Sequence, residues 1–235
     1  MSLSNIGWLN GITASGVFLF SCLFGLFFIY KSRRLKLKLL LSLGFVYFFA
    51  GLVYSGDVLD FITILITGNN VDNTHGIIGL INWIWFPGAV VFAMYIGAEL
   101  ITPKKKWLIF SIYLALGIIF EVFFLLNPSG TVTYDNPTSP GEDLINDNLV
   151  FESIPSIIAL IFLLSIILFL GVGFLHKSFQ STGIIRRKFL YLSLGSFVYA
   201  IGAVLDGLFS PGIILIFIRS AMIGSSWLFY YGLKG

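Results

Sequence analysis

The sequence predicts an all-α integral membrane protein, a bundle of seven transmembrane helices with its N-terminus outside and its C-terminus inside. Three observations predict it. Of 235 residues, 57% are hydrophobic and 11% charged, with a mean hydropathy of +0.97; soluble domains carry about 25% charged residues. Seven apolar runs are long enough to cross a bilayer, which takes about 20 helical residues. The connections alternate between basic and acidic, and basic loops stay in the cytoplasm. Seven spans and their loops use up this length, so 1–235 reads as a single membrane domain, expected in the plasma membrane.

The first run, 6–30, has no basic segment before it and no small-residue cleavage site after it, so it reads as a retained helix. It holds Cys22, the only cysteine, which excludes an intrachain disulfide and reads as a small core residue. Lys31, Arg33, Arg34, Lys36 and Lys38 then mark a cytoplasmic turn. The second run covers 37–56 or beyond. The third covers 77–101, with a kink expected at Pro87, and ends at Lys104, Lys105 and Lys106. The fourth is 107–127. The longest connection, 128–153, contains Pro128, Pro137, Pro140, Gly130 and Gly141 among several acids, and reads as an irregular outer cap with few apolar residues to bury. The fifth and sixth runs, 154–176 and 188–209, flank Lys177, Arg186, Arg187 and Lys188, and the seventh, 212–233, precedes Lys234. The opposite side carries Asp72, Asp135, Glu142, Asp143, Asp147 and Glu152 and no Lys or Arg. The net charge of +3 is thus an asymmetry across the bilayer, without the basic footprint of a nucleic-acid binder.

The chain also resembles itself. LLLSLG at 39–44 recurs as LYLSLG at 190–195, and in the same register Gly51, Val53 and Gly56 match Gly202, Val204 and Gly207. GLFFIYKS at 25–32 resembles GVGFLHKS at 171–178, and FAMYIG at 92–97 resembles WLFYYG at 227–232. The reading is a 3+1+3 parallel repeat: repeat A about 6–101, a linker helix about 107–127, the outer loop 128–153 and repeat B about 154–233. Small residues at Gly51, Ser55 and Gly56, and at Gly202 and Gly207, allow close helix approach and place helices 2 and 6 in the interior.

Charges within apolar runs are costly and therefore candidates for function. Arg219 lies roughly 10 Å below Pro211 at 1.5 Å per residue and needs an anionic partner. Asp206, Asp57, Asp60 and Glu121 share its half of the bilayer and are the candidates, with Trp83, Trp85 and Tyr54 as aromatic walls. Two chemistries fit: Arg219 binding an anionic or carboxylate-bearing ligand, or an acid cluster handling a cation or proton. The alternative is an interhelical ion pair that fixes packing. Trp8, Trp107 and Trp227 read as interfacial belt residues.

The inventory predicts no enzyme, no metal and no cofactor. His75 and His176 fall on opposite faces and cannot share a metal or haem, and no histidine lies where a catalytic triad would need it. The seven-helix plan is like that of microbial rhodopsins, but the seventh helix has Arg219 where a retinal lysine would be needed, so no retinal is expected. It is also like SWEET-type sugar transporters, without their prolines in helices 1, 2, 5 and 6. The stretch from Trp85-Phe-Pro-Gly88 through Tyr95 to Trp107, and Arg186-Arg-Lys-Phe-Leu190 with Gly195, resemble the seven-transmembrane sensor region of prokaryotic histidine kinases. The resemblance implies an outward-facing ligand site. With the chain ending at Gly235 and no kinase domain on it, the signal would pass to a cytoplasmic or membrane protein partner through the basic loops or the C-terminus. Besides such a sensor-like or ligand-binding bundle in the lipid bilayer, the sequence leaves open a small-solute or ion transporter and a structural subunit of a membrane complex.

Overall fold

The protein is described by a computed structural model covering residues 3–234. Helix α1 (Asn5–Leu35) starts at an N-cap, Ser4, whose side chain accepts from Gly7 N–H, and stops at Lys36, which adopts a left-handed conformation. Its chain returns as α2 (Lys38–Leu52) and α3 (Ser55–Thr67), bent by 42°. The bend lacks a proline. Instead the Ser55 hydroxyl donates to Leu52 O (2.5 Å) and Ile81 O (3.1 Å), and a serine bonded to the preceding turn is a recognised cause of helix bending.

The next column is α4 (Ile77–Trp83) and α5 (Phe86–Ile101). They break just before Pro87, which has no N–H to offer to the turn before it. A 3₁₀ turn (Pro103–Lys105) leads into α6 (Lys106–Leu126), and the short α7 (Pro128–Thr131) leads into strands β1 (Val132–Asp135) and β2 (Asn146–Leu149). The fifth apolar run folds as α8 (Ile154–Ile166), a π-helical turn (Ile167–Val172) and α9 (Gly173–Phe179), followed by α10 (Gly183–Asp206) and α11 (Ile213–Leu233).

Among the described residues six helices are long and apolar enough to cross a membrane, and the bent α2–α3 pair raises the number to seven if it is one span. Many large apolar side chains point outward, among them Leu23 (62% exposed), Phe217 (72%) and Leu126 (78%). Such a belt suits lipid and would be an aggregation surface in water. Among the described residues every Lys and Arg except Arg219 gathers at one end of the columns, where Lys31 Nζ also donates to Leu233 O (2.7 Å). We refer to this as the basic end and to the other as the hairpin end.

Two glycines set the spacing of α1 and α2. A Cβ on Gly25 would stand 2.6 Å from Phe48 N, and one on Gly44 would stand 2.6 Å from an Ile29 side-chain atom. The main core runs the length of the bundle in one cluster, from Phe28, Leu40, Phe174 and Leu192 at the basic end through Phe162 to Phe124, Ile158 and Val132 at the hairpin end.

The irregular cap expected over 128–153 is corrected by the structure. β1 and β2 pair antiparallel from Val132↔Leu149 to Asp135↔Asn146, and Val132, Leu144 and Ile145 are buried. Leu144 packs on Phe61 and Ile64 of α3. The few apolar residues suffice because polar anchors complement them: Ser4 N–H donates to Glu142 O (2.8 Å), Gly141 N–H to Asn70 Oδ1 (2.7 Å), and Tyr134 OH to Gly76 O (3.1 Å). The Ser4 hydroxyl also bonds Asp143.

Candidate functional site

A cavity of about 180 Å³ opens beneath the β-hairpin and runs down between α2, α5, α10 and α11. Its upper part is polar, lined by Asp57, Asn82, Asp147, Asp206 and Arg219. Its lower part is aromatic and aliphatic, with Tyr47, Phe86, Leu170, Tyr199 and Phe229.

Local folding places the polar groups. The α2–α3 bend carries Asp57 toward the axis. α3 then meets α4 at Gly56, whose N–H donates to Asn82 Oδ1 (2.6 Å) and where a Cβ would stand 2.6 Å from Ile78 O. Asn82 is thereby fixed with its Nδ2 donating to Asp57 Oδ1 (3.1 Å) and Asp147 Oδ1 (2.8 Å). Trp83, the next residue, donates Nε1–H to Asp147 Oδ2 (2.7 Å). The hairpin is thus bonded to the bundle at the cavity mouth. Burial raises the Asp147 carboxyl above its ordinary range, and the bonds from Asn82 and Trp83 oppose that shift.

Arg219 is 5% exposed. Its Nε donates to Asp206 Oδ1 (2.8 Å), its Nη1 to Asn10 O (3.1 Å) and Oδ1 (2.5 Å), and its Nη2 to Asp206 Oδ2 (3.5 Å). Nη2 also lies 3.7 Å from Asp57 Oδ2. The Tyr54 ring covers the guanidinium at 5.4 Å, and Tyr54 OH donates to Asp206 Oδ2 (2.8 Å). A buried arginine needs such anionic partners to be tolerated.

Of the eight residues singled out in the sequence, the structure gathers Arg219, Asp206, Asp57, Trp83 and Tyr54 at this cavity. The other three lie elsewhere. Asp60, wholly buried, accepts from Val71 N–H (2.8 Å), Ile145 N–H (2.9 Å) and Asn70 Nδ2 (2.9 Å), so its carboxylate clasps two loops. It is displaced from Asp57 because the two are three residues apart on a helix, and a small rotation sends them to different neighbours. Glu121 faces an apolar groove between α5 and α6 beside Pro87, Gly117 and Val122. Trp85 stacks on Phe49 (6.1 Å) on that same outer flank. Residues the sequence reading left out are Asn10, Asn82, Asp147 and Tyr199. The two asparagines carried a signal, being amides inside apolar runs. Asp147 carried none, because a loop acid reads as surface.

Among the described residues no group of three His, Cys, Asp or Glu side chains is arranged to hold a metal ion. His75 and His176 are both exposed. Fold and cavity together define a multi-pass helical membrane protein with a polar pocket under a β-hairpin. No protein-family model matches the chain, and no curated protein is detectably similar to it.

Proposed function

We propose that this protein is a sensor-like, ligand-binding seven-helix bundle, with the hairpin end outside the cell and the cavity as its ligand site. One observation carries the reading: a cavity polar at the hairpin end and apolar below, whose lining stops at the level of Leu43, Leu170 and Phe229. Beyond it the basic end is filled by Phe28, Leu40, Phe174 and Leu192, all 6% exposed or less. A site open toward one face and packed solid toward the other suits a receptor better than a transporter, which must open to both faces.

Arg219 acts in this reading as the anchor of the site. The π-helical turn supports a route for the signal: Leu170 within it lines the cavity, the turn continues into α9 at the basic end, and π-turns are frequent at functional sites. The partner that receives the signal is a cytoplasmic or membrane protein at the basic loops, as the likeness to kinase-linked sensor regions suggests. The 3+1+3 repeat belongs to the same reading and rests on the recurring segments 39–44 and 190–195.

The test is a thermal-shift screen of the protein in lipid nanodiscs against small amines, amino acids, sugars and organic anions, run beside Ala203→Phe, which fills the cavity. Ligands that raise Tm of the wild type and leave the plugged variant unmoved support the reading. Identical responses of the two proteins across the screen would overturn it.

A further inference from the structure

The charges at the cavity mouth do not balance. Three carboxylates, Asp57, Asp147 and Asp206, face one guanidinium. Asp206 takes the close contact with Arg219 (2.8 Å) and the Tyr54 hydroxyl. Nη1 of Arg219 goes to Asn10 and Thr13 (3.4 Å) on α1, and Nη2 faces Asp206 Oδ2 (3.5 Å) and Asp57 Oδ2 (3.7 Å). The guanidinium is thus already shared between two carboxylates of the chain, and an added anion would meet three carboxylates around one cation.

Asp57 and Asp147 are left facing each other across one neutral amide, that of Asn82. The nearest cation, Arg219 Nη2, stands 3.7 Å from Asp57 Oδ2, and no ion pair joins Asp147 among the described residues. Two carboxylates removed from water and short of counter-charge favour a positive group between them. The described residues offer no metal-binding arrangement, and what lies below the acids is aromatic. Among the described residues none is within hydrogen-bond reach of the Tyr199 hydroxyl in good geometry, and its ring stands in the cavity wall. Aromatic faces attract an organic cation, and the apolar floor excludes a ligand that is charged throughout.

Size narrows the class. An apolar cavity of about 150 Å³ accommodates benzene, and this one measures about 180 Å³. We propose that the cavity binds an organic monoammonium ion, its head between Asp57 and Asp147 and its apolar body, about the bulk of a substituted benzene ring, against Tyr47, Tyr199 and Phe229. This rests on the reading of the cavity as a ligand site.

The experiment compares three near-isosteric probes by calorimetry on the protein in nanodiscs: 2-phenylethylamine, neutral 2-phenylethanol and anionic phenylacetate. The amine is expected to bind at least tenfold more tightly than either of the others. Asp57→Asn is expected to weaken the amine about tenfold or more and the alcohol hardly at all. Asp147→Asn provides the same comparison should Asp57→Asn not fold. Equal or tighter binding of the alcohol or the carboxylate would overturn the charge assignment while leaving the cavity a ligand site. No binding of the amine to the wild type would overturn the proposal too. Binding of the amine to Ala203→Phe as tight as to the wild type would place it outside the cavity and sink the reading on which the proposal rests.

Discussion

Arg219 and Asp60 are both charged and both buried, yet their substitution should have different signatures. Arg219→Gln leaves Asp206 and Asp57 without counter-charge, and breaking a buried pair in this way costs about 3 to 5 kcal/mol. A large fall in Tm in nanodiscs is expected, with partial recovery in the double variant Arg219→Gln with Asp206→Asn; additive losses would show that the pair is not coupled. Asp60→Ala instead orphans the amides of Val71 and Ile145, at roughly 1 to 3 kcal/mol each. Those two amides should exchange with deuterium faster while ligand affinity stays unchanged, and unaltered exchange would refute the clasp. Rarity made these side chains legible, since each charge inside an apolar run stands out. Their partners were not legible. Asp57 and Asp60 look equivalent in the sequence, and only the helix rotation fixed by Gly56 against Asn82 separates a pocket residue from a clasp.

Gly56 also sets how closely α3 approaches α4. With Ile78 O 2.6 Å from the position of a Cβ, Gly56→Val must push α3 away from α4, and overpacking of this kind costs about 1 to 3 kcal/mol. Lower stability should accompany weaker ligand binding, because Asn82 loses its hold on both Asp57 and Asp147; loss of one without the other would contradict the placement. The hairpin answers to pH. Burial raises the Asp147 carboxyl in the folded state, so the protonated form is the one folding favours. The stabilisation is then fully present below the ordinary carboxylate pKa and is lost as pH rises through the raised folded value. Asp147→Asn should flatten this slope in the docking of β1 and β2, read by hydrogen exchange across a pH series; an unchanged slope would assign it to groups other than Asp147. Composition failed to reveal the hairpin because its order comes from scattered anchors, Ser4, Asn70 and Tyr134, supplied by distant parts of the chain. The apolar columns were legible because lipid demands long runs, whereas the α2–α3 bend, caused by one serine hydroxyl, was not.

The bent pair α2–α3 either crosses the membrane or turns back within it. A re-entrant segment must nearly reverse its direction, and 42° falls far short of that. The two helices have 15 and 13 residues, enough at 1.5 Å per residue to exceed about 30 Å of hydrocarbon. The end of α3 leads to Asn70, which donates to Asp143 O (2.9 Å) on the same loop that bonds Ser4 at the start of α1. A full crossing of α2–α3 would give the odd number of spans that puts the basic turns and the acidic loops on opposite faces. Four single cysteines in a Cys22→Ser background decide it: Asn5→Cys, Thr74→Cys, Lys104→Cys and Thr138→Cys, all at exposed positions. In intact cells a membrane-impermeant maleimide should label the variants at 5, 74 and 138 and spare that at 104 until the cells are opened. Opposite labelling at 5 and 74 would make α2–α3 re-entrant and leave six crossings. Labelling at 104 alone would invert the protein, turning the cavity mouth toward the cytoplasm and making its ligand an intracellular one.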